Sequence, residues 1–137
     1  MILRRAEVGL GIICAEEIDR RNILQATLQA MQLAVAGLRQ QPDLVLVDGL
    51  TAPSLPIPCQ TMIHGDQRSY VISCASIIAK VLRDRLMTFY HRLDPRYGFD
   101  RHKGYGTTLH ADRLTRWGPS VLHRRSFQPV IDAIVAA

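Results

Sequence analysis

Two short apolar segments, each followed by an aspartate, constrain the fold of this chain more than any other feature. Residues 44–47 (LVLV) are apolar throughout, which is typical of a strand covered on both faces, and Asp48 follows directly. Residues 58–63 predict a second strand that leads to Asp66, and the proline-rich residues 51–58 predict a loop. Because α/β sheets carry functional groups at the carboxyl ends of their strands, we expect the two carboxylates to share a site.

The part of the chain before these strands predicts one further strand and one helix. Residues 7–14 (EVGLGIIC) have the composition of a strand, in which Gly9 and Gly11 mark a face that other backbone approaches closely. Apolar residues then recur every three or four positions, so a single helix is expected over residues 15–38. This alternation of strands and helices predicts an α/β fold.

The part of the chain after Asp66 predicts two helices joined by a loop. A helix is expected over residues 69–93, with Ser69 or Ser73 as its cap. Residues 97–108 are glycine-rich, aromatic and basic, which predicts a functional surface loop. A short helix should follow to about residue 117, and beyond Pro129 the chain ends in an apolar tail.

Size and composition predict one folded domain over residues 1–137. Apolar residues make up 47% and charged residues 21%, as in ordinary globular proteins. No apolar run approaches the roughly 18 residues that a membrane span requires, and no signal peptide is recognisable, so we expect a cytoplasmic protein. The net charge of +5 favours polyanionic partners such as nucleic acid.

Neither the cysteines nor the histidines predict a zinc site. The three cysteines lack a Cys-x-x-Cys spacing, so we expect buried thiols. The histidines of the C-terminal part are too scattered for zinc ligands, and solvated or hydrogen-bonded side chains are expected instead. These residues are Cys14, Cys59 and Cys74, and His102, His110 and His123.

Two carboxylates at strand ends in a basic protein favour phosphodiester hydrolysis with bound Mg²⁺ or Mn²⁺, because hard cations prefer oxygen ligands. Two-metal sites generally require three or four carboxylates, so Asp48 and Asp66 are too few by themselves. Each also has a purely structural alternative. Asp48 could be a turn residue before Gly49, and Asp66 could cap the following helix.

Asp84 is a third acidic candidate, and we interpret it as structural. It lies inside the predicted helix beside Arg83 and Arg85, where a local ion pair is the expected role. We therefore exclude Asp84 from the metal ligands.

The basic loop contains the residues best suited to contact a nucleic acid. Arg101, His102 and Lys103 could contact phosphates, and Tyr105 between two glycines could stack on a base or a sugar. The alternative is a tyrosine packed on the protein surface. Further along, residues 123–127 (HRRSF) could equally be a phosphate contact or a charged turn.

Five segments, in this order, resemble the motifs of ribonuclease HII, the type 2 RNase H family. They are EEIDRRNILQAT (residues 16–27), LVLVDG (44–49), HGDQRSYVISCASIIAKVLRD (64–84), RHKGYGTTLH (101–110) and GPSVLHRRSFQPV (118–130). The resemblance covers nearly the whole chain. It implies an RNase H-like α/β fold, with a mixed sheet flanked by helices.

The resemblance further implies an endoribonuclease that hydrolyses the RNA strand of RNA–DNA hybrids, and single ribonucleotides in DNA, using Mg²⁺ or Mn²⁺. Four acidic residues hold the metals in this family: an Asp-Glu pair in an N-terminal Asp-Glu-x-Gly-Arg-Gly motif, then the Asp of Val-Asp-Gly and the Asp of Gly-Asp. The last two correspond to Asp48 and Asp66, which are therefore expected to be the catalytic and metal-binding residues.

The resemblance also implies substrate-binding residues. Tyr105 matches a tyrosine that stacks on the deoxyribose after the ribonucleotide, and Asn22 and Gln25 match polar positions near the nucleic-acid backbone. We expect the cations Arg68 and Lys103 to bind the substrate as well.

This sequence departs from the family pattern in one large respect, because it contains no Asp-Glu-x-Gly-Arg-Gly motif. The resemblance thus implies an N-terminally truncated RNase H-like domain that is inactive alone. One interpretation is an active ribonuclease HII whose N-terminal part is missing from the gene model. The other is a catalytically dead nucleic-acid-binding remnant, or half of a two-chain assembly. We expect a monomer if the protein is complete, and possible self-association through an exposed sheet edge otherwise.

Overall fold

A computed structural model describes residues 4 and 6–136 of the chain. These residues form two compact units, and the division falls between Ile77 and Ile78. The first unit contains a small sheet and its helices, and the second is helical. Within the described residues no helix is long and apolar enough to cross a membrane.

The sheet of the first unit consists of two parallel strands, β1 (Val45–Asp48) and β2 (Cys59–Met62). The pairing places Asp48 opposite Met62, and the Gly49 amide extends the ladder by donating to the Met62 carbonyl at 3.0 Å. Both predicted strands and the α/β class are confirmed.

The predicted helix over residues 15–38 is two helices, α1 (Ala15–Arg21) and α2 (Ile23–Ala36). Asn22 separates them with a φ of 76°, a backbone conformation that asparagine tolerates better than most residues. Its side chain accepts a hydrogen bond from the Gln25 amide at 3.0 Å and so caps α2. The prediction of one helix was wrong because the apolar period continues across this break.

The prediction of a strand at residues 7–14 was wrong, although its two glycines behave as expected. The segment is extended but pairs with no strand among the described residues, and it lies instead against α2. A Cβ atom at Gly9 or Gly11 would come within 1.8 Å of a carbonyl oxygen of that helix. The glycines therefore allow the close backbone approach that the sequence predicts, but the neighbour is a helix.

After β2 the chain forms a single-turn helix, α3 (Gly65–Arg68), and the long helix α4 (Tyr70–Leu93). The Ser69 hydroxyl accepts from the Ile72 amide at 3.5 Å, which confirms Ser69 as the predicted cap of α4. The turn between β2 and α4 brings the Gly65 backbone beside β1.

The second unit contains a 3₁₀ turn (Pro95–Tyr97) followed by α5 (Phe99–His102), α6 (Thr108–Trp117) and α7 (Gln128–Val135). The expectation of a surface loop over residues 97–108 was wrong for its first half. That half is helical and places two aromatic side chains in the core, because their burial outweighs the turn-forming tendency of the glycines. The core residues are Tyr97, Phe99, Leu114, Val130 and Ala133.

The apolar tail after Pro129 is largely helix α7, which the sequence analysis did not predict. Pro129 lies in the first turn of this helix, where a missing amide hydrogen is tolerated. The expectation of buried thiols was also wrong. All three cysteines are free, but Cys14 is exposed, and Cys59 and Cys74 are only half-buried.

Candidate functional site

The candidate site begins with Asp48, the last residue of β1. Its side-chain Oδ1 atom accepts a hydrogen bond from the backbone amide of Gly65 at 2.8 Å. Asp66 is the next residue along the chain, so this single bond ties the Asp66 segment to the end of the strand that carries Asp48. The structure therefore brings the two predicted aspartates to the same edge of the sheet.

The turn that carries Asp66 packs closely at Gly65. His64 has a left-handed backbone conformation (φ 53°, ψ 43°), and the chain then passes tightly between β1 and α4. A Cβ atom at Gly65 would lie 2.6 Å from Cδ1 of Ile72 and 3.3 Å from Oδ1 of Asp48. A methyl group here would need the end of the Ile72 side chain to move and would press on the Asp48 carboxylate, so glycine allows the closest approach of the segment to the strand end.

Asp66 lies at the second position of α3 with an exposed side chain. Its alternative role as a helix cap was wrong, since His64 occupies the cap position of α3 and Ser69 caps α4. In the part of the chain that the structure describes, the Asp66 carboxylate has no hydrogen-bond or ion-pair partner. An exposed carboxylate of this kind remains available to a cation.

Asp48 combines a structural contact with an available oxygen. Oδ1 holds the Gly65 amide, whereas no bond to Oδ2 occurs within the described residues. The alternative of a turn residue before Gly49 was therefore wrong, because Asp48 ends β1 and its side chain binds the Gly65 amide. Holding a carboxylate by one backbone amide fixes its orientation, which is how metal-binding proteins commonly orient their ligands.

The two aspartates offer the right type of ligand atom for a divalent metal, but they are too few to hold a metal pair. Asp48 and Asp66 offer the hard oxygen atoms that Mg²⁺ and Mn²⁺ prefer. However, residues 4 and 6–136 contain no group of three or more histidine, cysteine or acidic side chains that could hold a metal ion. The assignment of Asp48 and Asp66 as metal ligands therefore stays a prediction, and no third such side chain joins them within the described residues.

Asp84 forms an ion pair on the surface of α4, which supports its exclusion from the metal ligands. Its carboxylate contacts the Lys80 ammonium at 2.6 Å, one helical turn earlier. The local ion pair was predicted correctly, but the expected partners Arg83 and Arg85 were wrong. Arg83 instead donates to the Lys103 carbonyl at 3.2 Å.

The other substrate-binding candidates of the first unit are exposed and make local contacts. Asn22 and Gln25 contact each other through the cap of α2, with their side chains at the surface. Arg68 donates to the Ile63 carbonyl at 3.3 Å and is also exposed. These contacts neither require nor exclude a nucleic-acid ligand, so the three assignments stay predictions.

Tyr105 and Lys103, both in the second unit, differ in how freely they could meet a ligand. Tyr105 is 52% exposed, and the cationic groups of Lys80 and Arg83 lie 5.9 Å and 5.6 Å from the centre of its ring. Lys103 uses its ammonium within the unit, donating to Thr88 Oγ1 at 3.0 Å and to a backbone carbonyl at 2.7 Å. Tyr105 is accordingly the better placed of the two for stacking.

Sequence reasoning missed that the three scattered histidines meet in the core of the second unit. His102 and His110 stack with ring centres 4.2 Å apart, and Nε2 of His110 lies 3.1 Å from Nε2 of His123. All are buried and hydrogen-bonded, as one of the two expectations had it. The burial of His110 could have been predicted from the sequence, because His110 lies one turn from Leu114 on the same face of α6.

Burial also lowers the pKa of two of these histidines. The pKa of His110 lies below its ordinary value because its ring is desolvated. Desolvation, with a further contribution from His110, lowers the pKa of His123 to about 4. Both rings are therefore neutral near neutral pH.

Residues 123–127 form a charged turn at the edge of this core. The Arg124 guanidinium lies 5.1 Å from the centre of the Phe127 ring. The turn is confirmed, and a phosphate contact by the same segment stays a prediction.

Comparison with known protein families gives one consistent result. The family model described as Ribonuclease HII matches residues 5–130. Among curated proteins, the chain is 54% identical over 122 residues to a ribonuclease HII of Chlamydia pneumoniae, covering 89% of this chain and 56% of that protein. It is 56% identical over 121 residues to a ribonuclease HII of Bordetella avium, covering 87% of this chain and 60% of that protein.

Among solved structures, the chain resembles the ribonuclease H2 from Pyrococcus horikoshii OT3 with a TM-score of 0.68 and 20% sequence identity. The match covers 88% of this chain and 65% of that chain, and it supports the fold. The first curated relatives are longer than this chain, which spans 56% to 62% of their length.

Proposed function

This chain belongs to the ribonuclease HII family, and from that premise we propose that the whole protein hydrolyses the RNA strand of RNA–DNA hybrids and single ribonucleotides embedded in DNA. The observation that carries this proposal is the hydrogen bond from the Gly65 amide to Asp48, which ties the segment containing Asp66 to the end of β1. Two carboxylates at one sheet edge suit metal-assisted phosphodiester cleavage.

In this proposal Asp48 and Asp66 are the catalytic, metal-binding residues that the chain contributes. They would hold Mg²⁺ or Mn²⁺ through carboxylate oxygens, and a bound ion of this kind activates water and stabilises the leaving oxygen. Gly65 fixes the orientation of Asp48 through its backbone amide. The neighbouring Asp66 keeps an exposed carboxylate, so no competing partner within the described residues has to be displaced.

We further propose that these residues alone do not cleave the substrate. Two carboxylates are fewer than a two-metal site generally uses, and the described residues contain no third acidic side chain near them. The remaining ligands would come from a further segment of the same protein or from a partner chain.

Substrate binding is assigned to five side chains: Tyr105, Asn22, Gln25, Arg68 and Lys103. Tyr105 would stack on a sugar or base, because its ring is half exposed and has cationic groups nearby. The other four would contact the nucleic-acid backbone, favoured by the net charge of +5. We place the protein in the cytoplasm, where DNA containing ribonucleotides would be its substrate, and treat the complete protein as a monomer.

A second candidate function is nucleic-acid binding without cleavage, either by a catalytically dead remnant or by one half of a two-chain assembly. It is favoured by the same shortage of carboxylates that limits the first proposal. The two candidates differ in whether the site becomes active when the missing ligands are supplied.

A chimera distinguishes the two candidates. The part of the Chlamydia pneumoniae relative that this chain does not match would be joined to the chain, and cleavage of a DNA duplex carrying one ribonucleotide would be measured with Mg²⁺ or Mn²⁺. We expect cleavage by the chimera and none by the chain alone. A folded chimera that binds the duplex without cutting it would support the binding function instead, and cleavage by the chain alone would contradict the claim that two carboxylates are insufficient.

A further inference from the structure

The second unit contains a buried histidine network that ends at the backbone of Tyr105. We propose that His102, His110 and His123 are positioning residues that hold the Tyr105 loop, residues 103–107, in the conformation that contacts nucleic acid. This inference rests on the proposed function, because it assumes that Tyr105 touches the substrate.

Histidine groups hold the Tyr105 backbone on both sides. The Nδ1 atom of His110 lies 3.0 Å from the Tyr105 carbonyl, and the Tyr105 amide donates to the His102 carbonyl at 2.8 Å. The neighbouring Gly104 amide donates to Nδ1 of His102 at 3.1 Å. Two consecutive residues of the loop are thereby fixed by groups that lie in the core.

The fixed backbone donors and acceptors determine the tautomer of each ring. His123 accepts the Ser120 amide at Nδ1 (3.0 Å), so in its neutral form it carries its proton on Nε2 and donates to Nε2 of His110. His110 then carries its proton on Nδ1 and donates to the Tyr105 carbonyl. A directed chain of hydrogen bonds runs from Ser120 to Tyr105.

His102 completes the network from the other side. Its Nε2 atom donates to the Tyr97 carbonyl at 2.8 Å, which leaves Nδ1 free to accept from Gly104. Its ring is nearly parallel to that of His110, at an interplanar angle of 13°. Because the three rings are only 2% to 7% exposed, their orientations are set by packing as well as by hydrogen bonds.

The groups facing His110 and His123 keep these two rings neutral near neutral pH. Tyr97 and Phe99 cover the rings, and burial is the main cause of the lowered pKa values of His110 and His123. The carboxylate of Asp94 acts on His123 in the opposite direction, with a weaker effect, and is itself paired with Arg96. A proton added to Nδ1 of His123 would remove the acceptor of the Ser120 amide.

The loop needs such support because its backbone conformation is unusual. Lys103 and Gly104 both have positive φ angles, 51° and 81°, and the loop then presents a half-exposed ring at the surface. Gly104 adopts such an angle without strain, but at a non-glycine residue such as Lys103 the conformation persists only when its surroundings hold it, and it occurs preferentially at functional sites. A core built only for stability could use apolar side chains in place of three histidines.

A double-mutant cycle tests whether His110 acts through Tyr105. Binding of the unaltered chain and its variants to a labelled DNA duplex with one ribonucleotide would be measured by fluorescence anisotropy. We expect His110→Ala to weaken binding about fivefold, the loss of roughly one net hydrogen bond. In a Tyr105→Ala background, the same change should have almost no further effect. His110→Asn, whose amide can still donate to the Tyr105 carbonyl, should restore most of the affinity.

The controls separate positioning from simple destabilisation. Val130→Ala opens a cavity in the same core and removes no hydrogen bond to the Tyr105 backbone. It should therefore lower thermal stability yet leave the affinity for the labelled duplex unchanged. Amide hydrogen exchange at Gly104 and Tyr105 should become at least about tenfold faster in His110→Ala and stay unchanged in Val130→Ala. Equal losses of affinity from His110→Ala with and without Tyr105 would overturn the proposal.

Two further outcomes distinguish this inference from the proposed function. If Tyr105→Ala binds the duplex as tightly as the unaltered chain, the proposed substrate contact is wrong and the positioning role is overturned with it. If Tyr105→Ala weakens binding and His110→Ala does not, only the positioning role is overturned. Should His110→Ala fail to fold, ¹⁵N spectra of the unaltered chain still decide: we expect the Nδ1–H tautomer for His110, and the Nε2–H tautomer would overturn the proposal.

Discussion

Asp48 and Asp66 in the first unit are exposed and make few hydrogen bonds, whereas His102, His110 and His123 in the second unit are buried and hydrogen-bonded at every ring nitrogen. The aspartates are the groups we assign to the chemistry, and the histidines are the groups we assign to support. We conclude that exposed carboxylate oxygens without a partner in the protein indicate a site for a ligand. A complete set of internal hydrogen bonds indicates a role within the protein.

The largest expected effect comes from removing either of the two aspartates assigned to the metal. In the chimera, Asp48→Asn or Asp66→Asn should reduce cleavage by about a thousandfold or more, because each removes a metal-binding charge. Binding of the duplex should change little, since each substitution alters almost no surface. Near-full activity in either variant would mean that the residue is not a ligand. Asp43→Asn is the matched control, because Asp43 is another exposed aspartate, located before β1, and should leave cleavage unchanged.

The second prediction concerns the buried side of the comparison and its dependence on pH. Because the pKa of His123 is lowered to about 4 in the folded protein, the unfolded chain binds this proton more readily. The stability that neutral His123 provides is therefore present above about pH 6.5 and lost as the pH falls towards about 4, by up to about 3 kcal/mol. Urea unfolding across this range would measure it. His123→Asn should flatten the curve, and an unchanged slope would contradict the assignment.

Gly65→Ala tests the close packing around the hydrogen bond between the Gly65 amide and Asp48. The end of the Ile72 side chain would have to move away from the added methyl, and Oδ1 of Asp48 would be crowded, so we expect a loss of about 1 kcal/mol in the free energy of unfolding. Gly37→Ala is the matched control, since its new methyl would meet the nearest atom at 3.4 Å. Urea denaturation should show an effect for position 65 that clearly exceeds that for position 37; equal effects would show that Gly65 is not closely packed.

The smallest expected effect belongs to Asp84. Its ion pair with Lys80 is largely exposed, so Asp84→Asn should change the free energy of unfolding by no more than about 0.5 kcal/mol. Cleavage by the chimera carrying this change should remain close to that of the unaltered chimera. A loss of activity comparable to that of Asp48→Asn would make Asp84 a third ligand and would weaken the distinction between available and engaged carboxylates.

The sequence could predict that Asp48 and Asp66 lie at one sheet edge because the determinants of that arrangement are local. An apolar run that ends in Asp48 predicts a strand end, and a glycine before Asp66 predicts a tight turn, so the two aspartates could be assigned to one edge. What could not be predicted is the bond between Asp48 and Gly65, since it joins segments 17 positions apart.

The errors arose where the structure depends on distant neighbours. Residues 7–14 have the composition of a strand, but a strand also requires a partner to pair with, and the described residues provide none. The break at Asn22 left the apolar period intact, so periodicity could not reveal it. The histidine network was hidden for the same reason, because three residues far apart in sequence meet only after α5 and α6 have packed together.

Binding of Mn²⁺ to the unaltered chain tests the central claim most directly. Paramagnetic broadening of amide signals depends on distance to the ion, so it locates the metal without requiring activity. We expect the amides of Asp48, Gly65 and Asp66 to broaden first. Asp48→Asn and Asp66→Asn should each weaken the broadening strongly, and Asp43→Asn should not. Broadening centred elsewhere in the chain, or unchanged in both variants, would contradict the central claim.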